Sequence, residues 1–370
     1  MSNEKVTNYT LLPNQYKFLF DVDEEKLNKD RVHIDVSLYQ GGFTCCPKDT
    51  EFLSPQGWVT IDKLTMNDKL AVYHDDGSIV FEQPRDIFTY PADTWYEFDT
   101  RGTKQKLCPN HQIVYFNDRT DRDMLKPLKI AAADYVKNKN NSHKTIRNYF
   151  KVKGGAKSGY SEHLLRLFVA YQADGWNIRD GKKFKVGFHL KKEAKVARLH
   201  DLLKGAGVDY TFTVRKTGSK KGYVDFRCAL PFVDKSYPTQ WYSLDSSELE
   251  IIGHEVCFWD CSHKNDQRST TYYTNKKQDR DFIQFCWAAC GYCTSAYERR
   301  RDISITTNGK KYDYKNKVEY TTSRSAAKPI RMGNATTTKA KGGELKYCPS
   351  TSTGMWLARY KNYIFVTGNS

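Results

Sequence analysis

Short runs of alternating hydrophobic and polar residues dominate positions 45–135. They occur in TEFLSPQGWVTIDKL, DKLAVYHDDGSIVFEQPRDIFTY and TWYEFDTRGTKQKLCPNHQIVYF, with turns at PQG, DDG and RG. Alternation with a period of two is typical of strands that bury one face, and Gly and Pro mark the turns between them. This part of the chain is predicted to be a compact all-β domain. Short strands are predicted again near the C-terminal end, at LKYC and NYIFVTGN.

A different pattern occupies residues 155–328, after a basic, Asn/Gly-rich segment over 136–154 that is predicted to be a linker. Helical periodicity in SEHLLRLFVAYQADG is followed by a strand in KKFKVGFHL, a helix in KKEAKVARLHDLLKGAGV and a hairpin. The same order returns in SSELEIIGHEVCFWDCS, RSTTYYT, DRDFIQFCWAACGYCTSAYERR and the hairpin of ISITTN and VEYTTSR. Two αββ-type units about 85 residues apart, at 161–235 and 246–325, indicate an internal duplication.

The first 44 residues have a third pattern. LLPNQYKFLFD is amphipathic, and VHIDVSLYQGG is a strand with alternating apolar residues that runs into two glycines. Glycines in this position let backbone N–H groups approach phosphate. The segment is therefore predicted to open a nucleotide-binding α/β domain, although Gly41 has no Gly-Lys partner downstream.

The charge of the chain is positive and unevenly distributed. Its 370 residues carry a net charge of +16, and residues 151–250 hold 19 Lys/Arg against 11 Asp/Glu. This distribution favours a polyanionic partner such as double-stranded DNA, and a soluble basic surface is the alternative. No apolar run approaches the ~18 residues that span a bilayer, so no membrane association is expected.

The chain has ten cysteines and no export signal, which indicates a reducing compartment. We therefore expect it in the cytoplasm of a prokaryotic or phage-infected cell. Cys286, Cys290 and Cys293 have a spacing that zinc ligands also use. The aromatic and small residues between them favour a buried helix over a metal site.

Three residues at the edges of the β-rich part combine into one chemistry. A thiol at Cys45 can attack the carbonyl before it and convert the peptide bond into a thioester. The hydroxyl of Ser370 can accept that acyl group, and the side chain of Asn369 can attack its own carbonyl and cleave the chain. Together these groups are what self-excision requires, whereas each alone is better explained as a packed or terminal residue.

Three segments in order resemble the conserved blocks of inteins: CCPKDTEFL, LCPNHQIV and LKYCPSTSTGMWLARYKNYIFVTGNS. The resemblance implies that Cys45 attacks the Thr44 carbonyl, that Ser370 takes over the acyl group and that Asn369 cyclises. It places Thr50 five residues after the first Cys. It also implies that His111 protonates the leaving nitrogen and that Asn110 with nearby N–H groups stabilises the oxyanion.

The second and last blocks depart from the intein pattern at several positions. Cys108 stands where the second block has Thr, Gly368 replaces the usual His before the terminal Asn, and Cys348 stands where Asp is commoner. Two roles are open for Cys348: it activates Ser370, or it carries a branched intermediate as in a minority intein class. That class lacks the first cysteine, which favours Cys45 as the nucleophile.

The middle of the chain resembles the LAGLIDADG homing endonucleases that occur inside inteins. The two motifs are LLRLFVAYQADG and LEIIGHEVCFWDCS, each ending in an acidic residue, Asp174 and Asp260. The resemblance implies that these carboxylates share Mg²⁺ and that the following strands enter the DNA major groove. The second motif ends in Asp-Cys, so Cys261 must fit a close helix contact, and a decayed nuclease is the alternative. Outward residues suited to DNA are Lys183, Lys185, His189, Arg215 and Arg227, and weaker candidates for catalysis are Lys191, Lys192 and Lys277.

These resemblances imply an α+β multidomain chain. An all-β, horseshoe-like Hint splicing domain would comprise 45–135 and 329–369, and a duplicated αββαββα endonuclease at 155–328 would be inserted into it. Two fused repeats favour a monomer. Splicing itself would need no cofactor.

Excision would join Thr44 to Ser370 and restore GGFTS, the start of a P-loop if Gly-Lys-Thr follows. Residues 1–44 resemble the large subunit of phage terminases, with Gln15 as the adenine contact. A rival interpretation is a P-loop terminase ATPase with a non-catalytic basic DNA-binding insertion.

Overall fold

The computed structural model describes residues 45–118, 126–138, 140–180, 183–218, 221–264, 269–307 and 310–368. The predicted nucleotide-binding segment with Gln15 lies outside the described residues, and so do Thr44, Asn369 and Ser370. Among the residues described, every helix is too short or too polar to cross a bilayer. The chain has a mixed α+β fold that is rich in strands.

The described residues between 45 and 138 form short strands, as the alternating pattern predicts, and a short α-helix lies at the end of this part. A 3₁₀ helix covers Ile61–Lys63. The elements are β1 (Cys46–Pro47), β2 (Glu51–Ser54), β3 (Gly57–Thr60), β4 (Leu70–Tyr73), β5 (Ser78–Glu82), β6 (Asp86–Pro91), β7 (Thr94–Asp99), β8 (Lys104–Leu107), β9 (Gln112–Asn117), β10 (Leu128–Ala131) and α1 (Ala132–Lys137).

Strands from the C-terminal end of the chain are interleaved with these. They are β21 (Ala335–Lys339), β22 (Leu345–Ser350), β23 (Met355–Tyr360) and β24 (Tyr363–Gly368). Strand β22 lies between β1 and β6, β21 pairs with β7, and the pair β24–β23 lies between β9 and β4 in the largest sheet. The two ends of residues 45–368 therefore form one β-rich unit.

The hairpin of β23 and β24 carries the C-terminal segment into the centre of this unit. Its two turn residues, Lys361 and Asn362, have φ values of 46° and 69°, the left-handed geometry that fits a two-residue hairpin. All positions of both strands are buried, and β24 pairs with β9 through Thr367 and Ile113.

The segment predicted as a linker is packed over much of its length. Strand β11 (Lys144–Thr145) pairs with β9, and β12 (Lys151–Val152) pairs in parallel with β5. The apolar side chains of Ile146 and Phe150 are buried, which explains why this basic segment is held against the protein.

The middle of the chain contains two units with the same order of elements. In both sheets the first two strands are followed by the fourth and then the third, β13-β14-β16-β15 and β17-β18-β20-β19. The first unit has α2 (Glu162–Asp174), β13 (Gly175–Asp180), β14 (Lys183–Leu190), α3 (Glu193–Gly205), β15 (Tyr210–Val214) and β16 (Val224–Cys228). The second has α4 (Ser246–Glu255), β17 (Cys261–Lys264), β18 (Ser269–Thr274), α5 (Lys277–Ala289), β19 (Cys293–Thr307) and β20 (Lys310–Ser325).

The structure differs from the sequence prediction at three places in these units. Each unit runs αββαββ, and within the described residues the final helix of the predicted αββαββα order is replaced by a 3₁₀ helix, Thr239–Ser243, because Pro231 and Pro238 interrupt the segment. Helix α4 ends at Glu255 and continues as a 3₁₀ turn, Val256–Phe258. Strands β19 and β20 are far longer than ISITTN and VEYTTSR, and β19 begins at Cys293, within the segment predicted to be helical up to Arg300. Cys286 is fully buried in α5, as the core interpretation predicts.

Helix α5 joins the inserted units to the β-rich unit through a buried ionic network. Arg359 on β23 is fully buried and binds Glu51 with distances of 2.6 and 2.8 Å. Its third nitrogen lies 3.0 Å from Asp281 of α5, which also pairs with Arg280 at 2.6 Å. Burial opposes ionisation of Asp281, yet the two arginines lower its pKa to about 2. The carboxylate thus stays charged between the two bodies.

Replacing Arg359 with Met should lower the free energy of unfolding by about 3–5 kcal/mol, because Asp281 would be left as a buried, poorly compensated charge. The matched control is Lys277→Met, which removes a half-exposed partner of the same carboxylate and should cost at most about 1 kcal/mol. Chemical denaturation measures both. Since the pKa of Asp281 is lowered on folding, its stabilisation is present above about pH 4 and is lost as the pH falls toward 2. Equal losses for the two variants would contradict the assignment.

Candidate functional site

Three buried thiols from distant parts of the chain meet in the β-rich unit. Cys45, Cys108 and Cys348 form a small buried cluster with Trp95. Pairing of β1 with β22 aligns Cys46 with Tyr347 and so brings Cys348 next to Cys45. The N–H of Cys45 donates to Sγ of Cys108 at 3.2 Å, and the N–H of Cys108 donates to the Cys45 carbonyl, also at 3.2 Å. The amide nitrogen that precedes the Cys45 side chain therefore lies against a second thiol.

The sulfur atoms in this cluster differ in acidity. Hydrogen bonds to Cys108 and Cys348, with burial, raise the pKa of Cys45 above its ordinary value. The pKa of Cys108 is lowered to about 6, mainly because the Cys45 thiol donates to it, with further help from N–H groups of Cys45 and Asn110 and the charge of Lys346. At neutral pH the negative charge of the Cys45–Cys108 pair thus belongs on Cys108.

His111 joins this cluster to the C-terminal strand. The imidazole is fully buried; its Nε2 contacts the hydroxyl of Thr367, and its Nδ1 lies 3.9 Å from Sγ of Cys46. Burial lowers the pKa of His111 to about 3, although a backbone hydrogen bond with Cys45 acts in the opposite direction. The ring is therefore neutral at pH 7.

Strand pairing brings the last described residue to the same place. Gly368 pairs with Gln112, the residue that follows His111. A Cβ on Gly368 would lie 3.1 Å from the Val114 side chain, 3.2 Å from the Gly354 carbonyl and 3.3 Å from the Gln112 carbonyl. This crowding explains why glycine, and not the larger His of the intein pattern, precedes Asn369.

Two other predicted residues of this site have different surroundings. Thr50 is buried, and its hydroxyl lowers the pKa of the Cys46 thiol, partly offsetting the effect of burial, whereas it is not among the groups that shift the pKa of Cys45. Asn110 is exposed, and its contribution to the cluster comes from its backbone N–H, which donates to Cys108. The role of its side chain in oxyanion stabilisation remains a prediction.

A second candidate site lies where the two αββαββ units meet. Helices α2 and α4 pack against each other, so Asp174 at the end of α2 lies near Asp260, which follows the 3₁₀ turn after α4. Burial raises the pKa of Asp260 to about 6, and the charge of Asp174 acts in the same direction. Asp174 pairs with Lys195 at 2.5 Å.

The residues around these carboxylates include two lysines that the sequence analysis missed. Lys195 of α3 and Lys235 both lower the pKa of Asp260, and burial lowers the pKa of Lys235 itself. Nothing in the local sequence distinguishes them from other lysines of the basic middle region. Of the lysines that were considered, Lys277 binds Asp281 at 2.8 Å in the ionic network.

The donor set at this site fits a divalent cation shared by two carboxylates. The repulsion that Asp174 exerts on Asp260 is what a bound cation relieves, and Mg²⁺ prefers carboxylate oxygen. Within the described residues no group of three or more His, Cys, Asp or Glu side chains is placed to hold a metal, so water and phosphate would complete the coordination.

The first sheet carries most of the predicted DNA contacts on one face. Register places Lys185, His189 and Arg227 on the same face, with Arg227 exposed. His189 stacks on Tyr223 with ring centroids 4.3 Å apart and pairs with Asp225. Arg215 also pairs with Asp225, at 2.5 Å, so the charge of Arg215 is partly compensated. The side chain of Lys183 lies outside the described part.

The second sheet has a long basic extension. On the side of Tyr320 toward the hairpin turn, β19 and β20 pair only with each other among the described strands, and so form a two-stranded ribbon over residues 299–307 and 310–317. Its sequence holds seven Lys/Arg against two Asp. The ribbon side chains whose exposure is described, including Arg299 and Lys315, are exposed.

Comparisons with known proteins give similarity at low identity. No family model matches the chain. A curated protein, the ATP-dependent Clp protease proteolytic subunit of Chlamydomonas moewusii, is 20% identical over 272 residues, which cover 63% of the chain. The match spans only 26% of that protein, about a quarter of its length.

Solved structures similar to the chain include an intein and LAGLIDADG proteins. The AceL NrdHF class 3 split intein is 9% identical with a TM-score of 0.31, over 88% of this chain and 98% of the other. The complex of I-DmoI with DNA and Mn is 9% identical with a TM-score of 0.27, over 44% and 89%. The N-terminal LAGLIDADG domain of DUF199/WhiA is 12% identical with a TM-score of 0.27, over 45% and 76%.

Proposed function

We propose that the chain catalyses its own splicing, in which residues 45–369 leave and Thr44 becomes joined to Ser370. The observation that carries this proposal is the position of His111. The ring lies between the backbone of Cys45 and the hydroxyl of Thr367, two positions more than 300 residues apart in sequence. The bond before Cys45 adjoins a residue that contacts this imidazole, and Thr367, which the same ring contacts, lies two residues before Asn369 in the sequence.

The proposed reaction has three steps. The Cys45 thiol attacks the Thr44 carbonyl and forms a thioester, and the Ser370 hydroxyl then takes over the acyl group. Asn369 cyclises and releases the insert, after which the ester rearranges to an amide. The neutral ring of His111, held against Thr367, is suited to hydrogen bonding near the second cleavage point.

The test of splicing uses the full chain with several residues appended after Ser370. Intact mass spectrometry after expression should find a ligated product, formed by residues 1–44 and the appended segment, together with the free insert 45–369. If the unprocessed chain is the sole species over hours at 25 °C, the proposal is wrong.

We also propose a second function, the site-specific double-strand cleavage of DNA. It is supported by the two carboxylates at matching places in two units of equal topology, beside a basic sheet face. Asp174 and Asp260 would hold Mg²⁺, which when bound polarises phosphate and lowers the pKa of water. The positive charges of Lys195 and Lys235 would stabilise the ionised carboxylates and attract the phosphate that enters the site.

The corresponding test is plasmid cleavage. The plasmid carries the uninterrupted coding sequence for residues 1–44 joined directly to the codon for Ser370 and those that follow. With Mg²⁺ the chain should linearise this plasmid and leave unchanged a plasmid in which the coding sequence of the insert separates the two parts. Equal cleavage of both plasmids, or of neither, contradicts site-specific cleavage.

The ribbon over residues 299–307 and 310–317 is expected to contact phosphates. Replacing both Arg299 and Lys315 with Gln should reduce the slope of log affinity against log salt by about 2, since each phosphate contact contributes about 0.9. The control pair is Lys63→Gln with Lys69→Gln, two exposed lysines of the β-rich unit. Fluorescence anisotropy with duplex DNA measures both slopes, and equal slopes would assign the ribbon no phosphate contact.

We propose a P-loop ATPase of the phage terminase type as the host of the insertion. The support is the sequence GGFTS that ligation would create. The codons after Ser370 in the gene should specify Gly-Lys followed by Ser or Thr, and any other sequence would reject this host.

A further inference from the structure

We propose that Cys108 is the proton shuttle of the first acyl shift: its sulfur takes the thiol proton of Cys45 and returns it to the amide nitrogen of the same residue. This inference rests on the proposed splicing reaction and adds a catalytic residue to it. The intein resemblance places Thr, a group that does not ionise, at this position.

The geometry that supports the shuttle is a pair of contacts to one sulfur atom. The amide nitrogen of Cys45 lies 3.2 Å from Sγ of Cys108. The thiol of Cys45 is hydrogen-bonded to the same sulfur. A single atom therefore touches both the proton that must leave and the nitrogen that must receive it. The carbonyl of Cys45, bound by the N–H of Cys108, holds the two residues in this register.

The groups around Cys108 favour its charged form. Besides Cys45, the N–H of Asn110 donates to the sulfur, and Lys346 supplies a positive charge. The pKa of Cys108 is about 6, so most of it is thiolate at pH 7. A thiolate is a base that can act in this buried place.

His111 is less suited to this proton transfer. Its Nε2 is engaged by the Thr367 hydroxyl, its Nδ1 faces Cys46, and its pKa of about 3 keeps the ring neutral. A neutral imidazole is too weak an acid to protonate the leaving amine nitrogen. Cys108 would thus serve the cleavage of the bond before Cys45, and His111 the cleavage of the bond after Asn369.

The proposed step conserves both protons and electrons. The Cys108 thiolate removes the proton from Sγ of Cys45, and the resulting thiolate attacks the Thr44 carbonyl carbon and forms the C–S bond. The C–N bond then breaks, its electron pair stays on the Cys45 nitrogen, and Cys108 delivers the proton there. The products are a thioester and a free amine, and Cys108 ends as the thiolate with which it began.

The test measures thioester formation by itself. In the full chain with residues appended after Ser370, Asn369→Ala prevents C-terminal cleavage, and dithiothreitol releases residues 1–44 from the thioester. The rate is compared with that of the same chain carrying Cys108→Ser, and the ratio of the two rates at each pH cancels the ionisation of dithiothreitol. We expect a ratio of about 10² at pH 7, within the range of general acid–base catalysis. The ratio should shrink toward pH 5, where the Cys108 sulfur is protonated and can no longer take the thiol proton of Cys45.

The control is Cys228→Ser, which removes a buried thiol of the first αββαββ unit and should leave the rate unchanged at every pH. A ratio near one at pH 7, or a loss that is constant with pH, would overturn the shuttle, because a structural role gives no pH dependence. Thiolate absorbance at 240 nm in the unsubstituted chain is an independent measurement. One thiol should ionise with a midpoint near pH 6, and no ionisation below pH 8 would also overturn the proposal.

The outcomes separate the two proposals. If the unsubstituted chain releases nothing with dithiothreitol, the splicing proposal fails and the shuttle fails with it. If release is normal, depends on Cys45 and is indifferent to Cys108, the shuttle alone fails.

Discussion

The variant Cys45→Ala, in a chain extended beyond Ser370, should yield neither ligated product nor free insert. A methyl group has no lone pair with which to attack the Thr44 carbonyl, so the first bond is never broken and Ser370 never receives the acyl group. Intact mass spectrometry at successive times measures the loss. We expect at least a 10³-fold reduction in ligated product, the limit set by detection and by uncatalysed hydrolysis.

The neighbouring residue provides a matched control for this prediction. Cys46 is also fully buried and lies 3.9 Å from the imidazole of His111, but the strand β1 directs it into a different cluster of the core. Cys46→Ala should therefore still give ligated product, at a reduced rate at most. Loss of product in Cys46→Ala with retention in Cys45→Ala would move the nucleophile to Cys46.

The second large effect is expected at the carboxylate pair. Asp174→Asn keeps the shape of the side chain and removes the charge, so a cation would lose one of its two protein ligands. A metal contributes several kcal/mol to phosphate cleavage, and the plasmid-cutting rate should fall by about 10³-fold or more. Gel analysis of the nicked and linear forms with time measures the rate for both strands.

Asp201→Asn is the control for Asp174→Asn. Asp201 is an exposed carboxylate on α3 of the same unit. Its loss removes the same charge without touching the pair, so cleavage should continue at the unsubstituted rate. If both variants cut DNA as well as the unsubstituted chain, the carboxylate pair does not carry the cleavage. If the unsubstituted chain also fails to cut, the αββαββ units are those of a decayed nuclease.

Local sequence patterns predicted the position of many strands and helices correctly. They failed where contacts between distant parts of the chain determine the structure. Period-two alternation located the strands of residues 45–118, and helical periodicity located α2 and α3 within a few residues. It located the start of α5, but this helix ends at Ala289 and not at Arg300, because Cys293 already begins a long strand. The helix predicted through LEIIGHEVCFWDCS is shorter than predicted. The chain forms a 3₁₀ turn after Glu255, and Cys261 already begins a strand. The buried role of residues 140–153 was missed, since their composition is that of a solvated segment and their partners are remote strands.

The chemistry of the candidate sites divides in the same way. The sequence alone determined which residue types are available: thiols and amide side chains at both ends of the β-rich part, and an acidic residue at the end of each repeated motif. Residue order also determined the duplication, because periodicity is a local property of the chain. Those inferences needed only side-chain chemistry and spacing.

Only the tertiary structure decided which of these groups act on one another. It brought Cys108 against the amide of Cys45, His111 against Thr367, and Lys195 and Lys235 to the carboxylates. Most of these contacts join residues tens to hundreds of positions apart, and burial sets their acidity. No local pattern carries either quantity, since both pKa and distance depend on how strands and helices pack.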